Sequence, residues 1–213
     1  MGSSDNDLWH AEMGDYPLPT NRREIAAAIA SCDFLFGKFP YLDRRYGERG
    51  RLFCRSGGGF LIVTCRYPDA GFLDQVRWLV RVRSSRGMPG WLLERHLSVL
   101  HACLERELPE AGRRYDGLLT AEADLARLRR RHMADQSFLD AAGRLAGRVP
   151  ASQREALPEA GTLLASALCD EAAGSAGSVD ALLGWLADPA RFPGEWSQAV
   201  RETADELAAE VIR

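Results

Sequence analysis

Apolar residues recur along this chain at steps of three and four, the period of a helix with one buried face. From Asp69 onward Phe72, Val76, Leu79 and Val80 form one stripe, and Arg77, Arg81 and Ser84 fall on the opposite side. Gly87 and Pro89 close that helix in the turn "RGMPG". The next helix carries Leu93, Leu97, Leu100 and Leu104, whose alternating steps make a bundle seam, and Pro109 ends it. Upstream, Asn21 opens a helix in an N-x-x-E form that places Glu24 to reach back to the cap. Ile25, Ile29, Cys32 and Phe36 share its inner face, and Gly37 stops it. "FPYLDRRYG" reads as a short helix with Pro40 in its first turn and Gly47 just past its end.

Downstream the same period continues. Thr120 is placed to cap a helix with Leu125 and Leu128 inward and Arg127, Arg130 and Arg131 outward. A helix over 137–148 is expected to bury Phe138, Leu139, Ala142 and Leu145, and Ser152 with Glu155 suggests a second capping box. Leu163, Leu164, Ala167 and Leu168 mark another helix, followed by "GSAGS", the most linker-like run. Ser178 is read as the cap of a short helix with Leu182, Leu183 and Leu186 that halts at Asp188–Pro189. The last helix carries Trp196, Val200, Leu207 and Val211. With no strand alternation, the pattern predicts an all-α fold, a multi-helix bundle or globin-like stack of about eight or nine helices.

One stretch, "RSGGGFLIVTC" (residues 55–65), supports two readings. The β-branched run Ile62, Val63 and Thr64 suits a hairpin strand, but a two-stranded hairpin without a further strand is marginal. The alternative is a buried helix apolar on all sides, capped by Ser56 and running to Tyr67, and the pattern favours it. Gly57–Gly59 lack the spacing of a phosphate-binding loop; close helix packing explains them more simply.

Charge adds an asymmetry. Of 30 acidic and 27 basic residues, 13 and 6 fall at or after Asp135, leaving 17 and 21 before it. This suggests an N-terminal arm (1–20) pinned by Trp9 and Tyr16, a core domain (21–134) and a C-terminal helical subdomain (135–213). The first twenty residues lack a basic segment leading into an apolar one, so no signal peptide is expected. No run reaches the ~18 uncharged apolar residues of a membrane span, so a cytoplasmic location without a membrane partner is expected. Lys38 is the sole lysine among many arginines, as in proteins of GC-rich bacteria. The five cysteines, Cys32, Cys54, Cys65, Cys103 and Cys169, contain no CxxC and read as buried small side chains, although Cys54 lies between Arg51 and Arg55.

Candidate chemistry is sparse. No HExxH, ExxH or G-x-S-x-G occurs, so neither a metal site nor a catalytic residue is predicted. His101 lies beside the leucine seam and His96 five residues before it; either is a candidate haem or tetrapyrrole ligand, while pairing of His101 with Glu105 is the simpler reading. Arg77, Arg81, Arg127, Arg130 and Arg131 form candidate patches for an acidic partner or nucleic acid. The acidic net charge of −3 and the interspersed carboxylates disfavour nucleic acid.

The run from "FPYLDRRYGERGRLFCRSGGGFLIV" through "DQVRWLVRVRSSRGMPGWLLERHLSVLHACLE" resembles globin-like, all-helical sensor domains of bacterial regulators over residues 39–108. The elements that carry the resemblance are the "RYGERGR" turn, the "RWL" helix and the "RGMP" turn before the leucine seam. The triple glycine departs from it. The resemblance implies a helical sensory protein, with or without haem. Together these readings predict a non-enzymatic regulator that needs no cofactor, or else haem. It would act through a protein partner, a second copy of itself, or an apolar ligand between helices.

Overall fold

The computed structural model describes residues 17–67 and 69–212, with the backbone alone at Asp69. The expected pinning by Trp9 and Tyr16 lies outside the described residues. Among those residues the chain is all-α, with ten α-helices, a 3-10 segment and no strand. The helices are α1 (Arg22–Lys38), α2 (Pro40–Thr64), α3 (Asp69–Ser84), α4 (Gly90–Glu107), α5 (Gly117–Arg130), α6 (Asp135–Ala146), α7 (Ala151–Ala156), α8 (Ala160–Ala172), α9 (Ser178–Leu186) and α10 (Gly194–Glu210). The 3-10 segment, Pro109–Tyr115, follows α4. The count exceeds the expected eight or nine because the 3-10 segment and α7 are too short to show a period.

The chain forms two compact units. Unit 1 comprises Met1–Asp74 and Glu94–Ala123; unit 2 comprises Gln75–Leu93 and Asp124–Arg213.

Unit 1 is built on α1 and α2. Asn21 caps α1 as its sequence implies, its side chain accepting from the Arg23 N–H at 2.9 Å. The buried face of α1 is Glu24, Ala27, Ala28, Ser31, Cys32, Leu35 and Phe36, a smaller-residue stripe than expected, with Ile25 and Ile29 only half-buried. The helix passes through Gly37 to Lys38. Small side chains there let α2 approach closely. Pro40 begins α2, and Gly47 bends it at φ 53° and ψ −147°. A β-carbon would oppose that left-handed backbone, which is why glycine stands at the bend. From 48 to 64 the chain is one helix, so the hairpin alternative is not the structure. Ser56 lies inside the helix rather than at its cap, and the helix ends at Thr64 instead of Tyr67. Gly57, Gly58, Gly59, Phe60, Leu61 and Ile62 are all buried, as a helix apolar all round requires. The α4 seam is confirmed, with Leu97, Leu100 and Leu104 fully buried.

Unit 2 centres on α8. Leu163, Leu164, Ala165, Ser166, Ala167 and Cys169 are buried on successive sides of it, between α6, α9 and α10. Gly161 meets α6 so closely that a β-carbon would lie 2.1 Å from the Ala141 carbonyl oxygen. On the helices packed against α8, Phe138, Leu145, Leu182, Leu186, Val200 and Leu207 are each at most 3 % exposed. Each such side chain contributes about 1.5–3 kcal/mol when fully buried. Leu139, expected inside, is 71 % exposed; Ala141 takes the inner position. The first turn of α4 belongs to this unit and is capped from a distance. Asp170 accepts from the Gly90 N–H at 2.7 Å, and Ser166 from the Trp91 N–H at 3.0 Å.

Three further expected caps are absent. Thr120 sits within α5 and donates to the Asp116 carbonyl at 3.2 Å. No side chain caps α7, which Pro150 precedes. Ser178 donates to the Ser175 carbonyl at 2.6 Å, while Gly177, with φ 78°, occupies the cap position of α9.

Candidate functional site

Unit 2 contains a pocket of about 350 Å³. Ala142, Gly143 and Ala146 on α6 form one wall, and their small size makes it recede; Leu145 and Val149 continue it. Leu157, Pro158 and Gly161 close the α8 side, and Trp196 of α10 supplies an aromatic wall. The indole is fixed by donating to the Leu186 carbonyl at 2.8 Å and by stacking on Phe192 at 5.6 Å. Arg154 and Glu155 of α7 are the charged lining residues, and both are exposed. A β-carbon on Gly143 would meet nothing within 4 Å, so the space lies open beside it. Such a site acts by taking apolar surface out of water, at roughly 25 cal/mol per Å². The volume is more than twice the ~150 Å³ of a dry cavity that takes up benzene.

The two histidines lie on α4 in unit 1, in different surroundings. His96 is buried; its Nε2 lies 3.4 Å from the Ser31 hydroxyl, which donates to the Ala28 carbonyl at 2.9 Å. His101 has Nδ1 3.5 Å from Glu105 and Nε2 3.5 Å from Asp116. Glu105 is the partner that the sequence suggested; Asp116 was not foreseen. The Asp116 carboxyl is held below its ordinary value by Arg113 first, and by His101. Among the described residues no three histidine, cysteine or acidic side chains are grouped to hold a metal ion.

Local acids engage much of the predicted arginine patch in unit 2. Arg77 grips Asp124 through two bonds of 2.8 and 3.0 Å, and Arg127 binds the same carboxylate. These contacts, Arg77 foremost, keep the Asp124 pKa below its ordinary value against its burial. Arg130 binds Asp135 at 2.8 Å, with Arg129 also on that carboxylate. Arg81 and Arg131 are exposed.

Two clusters in unit 1 escaped the sequence reading. Glu24, assigned a capping role, is buried and instead accepts from Arg66 and from the Tyr115 hydroxyl. Burial, then Glu24, pushes the Tyr115 phenol up. The second joins Cys32 to Cys54. The Cys54 thiol hydrogen-bonds Cys32 and, with help from Arg55 and Arg51, brings the Cys32 pKa below the usual thiol value despite burial. Cys65 differs: burial pushes it up to about 12.

No family model, curated protein or solved structure matches the chain. No helix among the described residues is long and apolar enough to cross a membrane.

Proposed function

We propose that this chain is a non-enzymatic helical binding protein of regulatory type, and that unit 2 takes a small apolar molecule between α6, α8 and α10. The observation that carries the reading is the 350 Å³ pocket with Trp196 and aliphatic walls and charge confined to Arg154 and Glu155. An occupant would extend its apolar body over Ala142, Leu145 and Trp196 and leave a polar end toward α7. This is the usual division of labour in small-molecule pockets, where many apolar groups supply affinity and few polar ones orientation.

Calorimetric titration with straight-chain alcohols from hexanol to decanol tests it. Affinity is expected to rise with each methylene until the pocket is full, with a negative heat-capacity change. Gly143→Leu projects a side chain into the open space and is expected to weaken binding at least tenfold while the protein stays folded. Equal affinity for the variant and the native protein would refute the site.

A further inference from the structure

In unit 1, α1 and the 48–64 part of α2 run antiparallel, and their contacts define a register. Phe36 lies against Gly50, where a β-carbon would come 3.3 Å from the phenyl ring. Ala28 lies against Gly58, where a β-carbon would come 3.5 Å from the alanine methyl. One turn forward from Ala28 is Cys32, and one turn back from Gly58 is Cys54, so this register sets the two cysteines opposite one another. Their side chains meet there: the Cys54 thiol hydrogen-bonds the Cys32 sulfur. The Cys32 thiol in turn donates to the Arg51 carbonyl at 3.4 Å. A disulfide needs β-carbons about 3.5–4.5 Å apart, and one turn along the seam a β-carbon built on Gly58 would stand 3.5 Å from that of Ala28.

We propose that Cys32 and Cys54 are a redox-active dithiol that hydroperoxides oxidise to a disulfide, stapling α1 to α2.

The surroundings suit the chemistry. Arg51 and Arg55 flank the pair, and Arg55 also reaches Asp33 at 3.3 Å across the same seam. Cationic neighbours stabilise a thiolate, and the lowered Cys32 pKa agrees. Cys54 is half-buried and Cys32 fully buried, so Cys54 is the sulfur that an oxidant reaches. The pair titrates as a unit, losing one proton to solvent, and Cys54 is the thiolate whenever the remaining proton sits on Cys32. The Cys54 thiolate attacks the peroxide oxygen, the O–O bond breaks, and the released alkoxide or hydroxide takes a proton from solvent to leave as alcohol or water. The Cys54 sulfenic acid so formed is attacked by the Cys32 sulfur. The S–O bond breaks, the S–S bond forms, and hydroxide leaves with the Cys32 proton as water. Two thiols are oxidised by two electrons and one peroxide is reduced. Cys65 and Cys103 each have one arginine nearby, Arg66 and Arg106, but burial outweighs it and raises both thiols, so they serve as internal controls.

The test uses the full chain, fully reduced, then exposed to a small molar excess of hydrogen peroxide and alkylated. Cleavage after arginine places Cys32 in residues 24–44 and Cys54 in residues 52–55. The expected product is those two peptides joined, two hydrogens lighter than their sum, with Cys65 and Cys103 still alkylated. In Cys32→Ser, dimedone is expected to label Cys54, because no resolving thiol remains. Alkylation of Cys32 and Cys54 to the same extent as Cys65 after peroxide would overturn the proposal, as would linkage of either cysteine to another. The native-chain map decides the matter even if the serine variant fails to fold.

Discussion

The interior of unit 1 holds a carboxylate, a phenol and an imidazole, those of Glu24, Tyr115 and His96, each at most 3 % exposed. Unit 2 also buries polar side chains, Ser166 and Thr203 among them, but adds a pocket walled mainly by alanine, glycine, leucine and tryptophan, with exposed Arg154 and Glu155 in its lining. The difference separates two ways of specifying a helical arrangement. Buried polar groups tolerate one geometry, because an orphaned donor or acceptor costs about 1–3 kcal/mol. Apolar walls specify shape alone, so an occupant of suitable shape can replace empty space. Unit 1 is therefore the part of the chain that should resist rearrangement, and unit 2 the part that should accept a guest.

Alkaline titration gives the largest expected contrast. Among the described residues all four tyrosines fall in unit 1, and burial raises Tyr41 well above its ordinary value and Tyr115 above it as well. Cys65 moves from 9.0 to about 12. Because the unfolded chain loses these protons first, the native state is favoured fully below pH 9.0 and progressively less as pH climbs toward 12. The Cys65 shift alone corresponds to about 3 kcal/mol by pH 11. Amide exchange measured from pH 8 to 11, corrected for the intrinsic rate, should show protection falling earlier in α1 and α2 than in α8.

Gly161→Ala should break unit 2 selectively. Its methyl would strike the Ala141 carbonyl at 2.1 Å, so α6 and α8 must separate. A loss of about 2–3 kcal/mol is expected in urea unfolding, with the increase in exchange concentrated in those helices. Glu24→Gln is the counterpart in unit 1. It keeps the shape but loses the charged acceptor of Arg66 and Tyr115, and thermal unfolding should report about 1–2 kcal/mol. The smallest effects compare two helical glycines. Gly143→Ala places a methyl in open space and should stabilise by up to about 1 kcal/mol. Gly58→Ala should gain less, since its methyl meets His96 at 3.4 Å and Ala28 at 3.5 Å.

Much of the fold was legible where a local rule acts alone. The α4 leucine seam, the Asn21 cap, the Gly47 bend and the Gly87 stop each follow from spacing and backbone preference, and each is present. Sequence reading failed where a distant element competed for the same group. Glu24 had the position of a capping partner, but Tyr115, 91 residues away, draws it inward. Asp170 caps α4 across 80 residues, which no local window could show. The pocket has Gly143 of α6 and Gly161 of α8 in its lining, and only the packing of those two helices brings them to one site. Glycines interrupting two helical patterns were the available hint. Cys32 and Cys54 belong to different helices, and only the antiparallel register relates them.

Trp196 gives the pocket a property of its own. It is a chromophore built into the cavity wall, with its N–H anchored on Leu186 and its ring stacked on Phe192, so it cannot turn away from whatever occupies the space. With the other four tryptophans replaced by phenylalanine, its emission becomes an optical gauge of the cavity. Water, an aliphatic chain or the side chain of a filling variant would each give a different colour and lifetime.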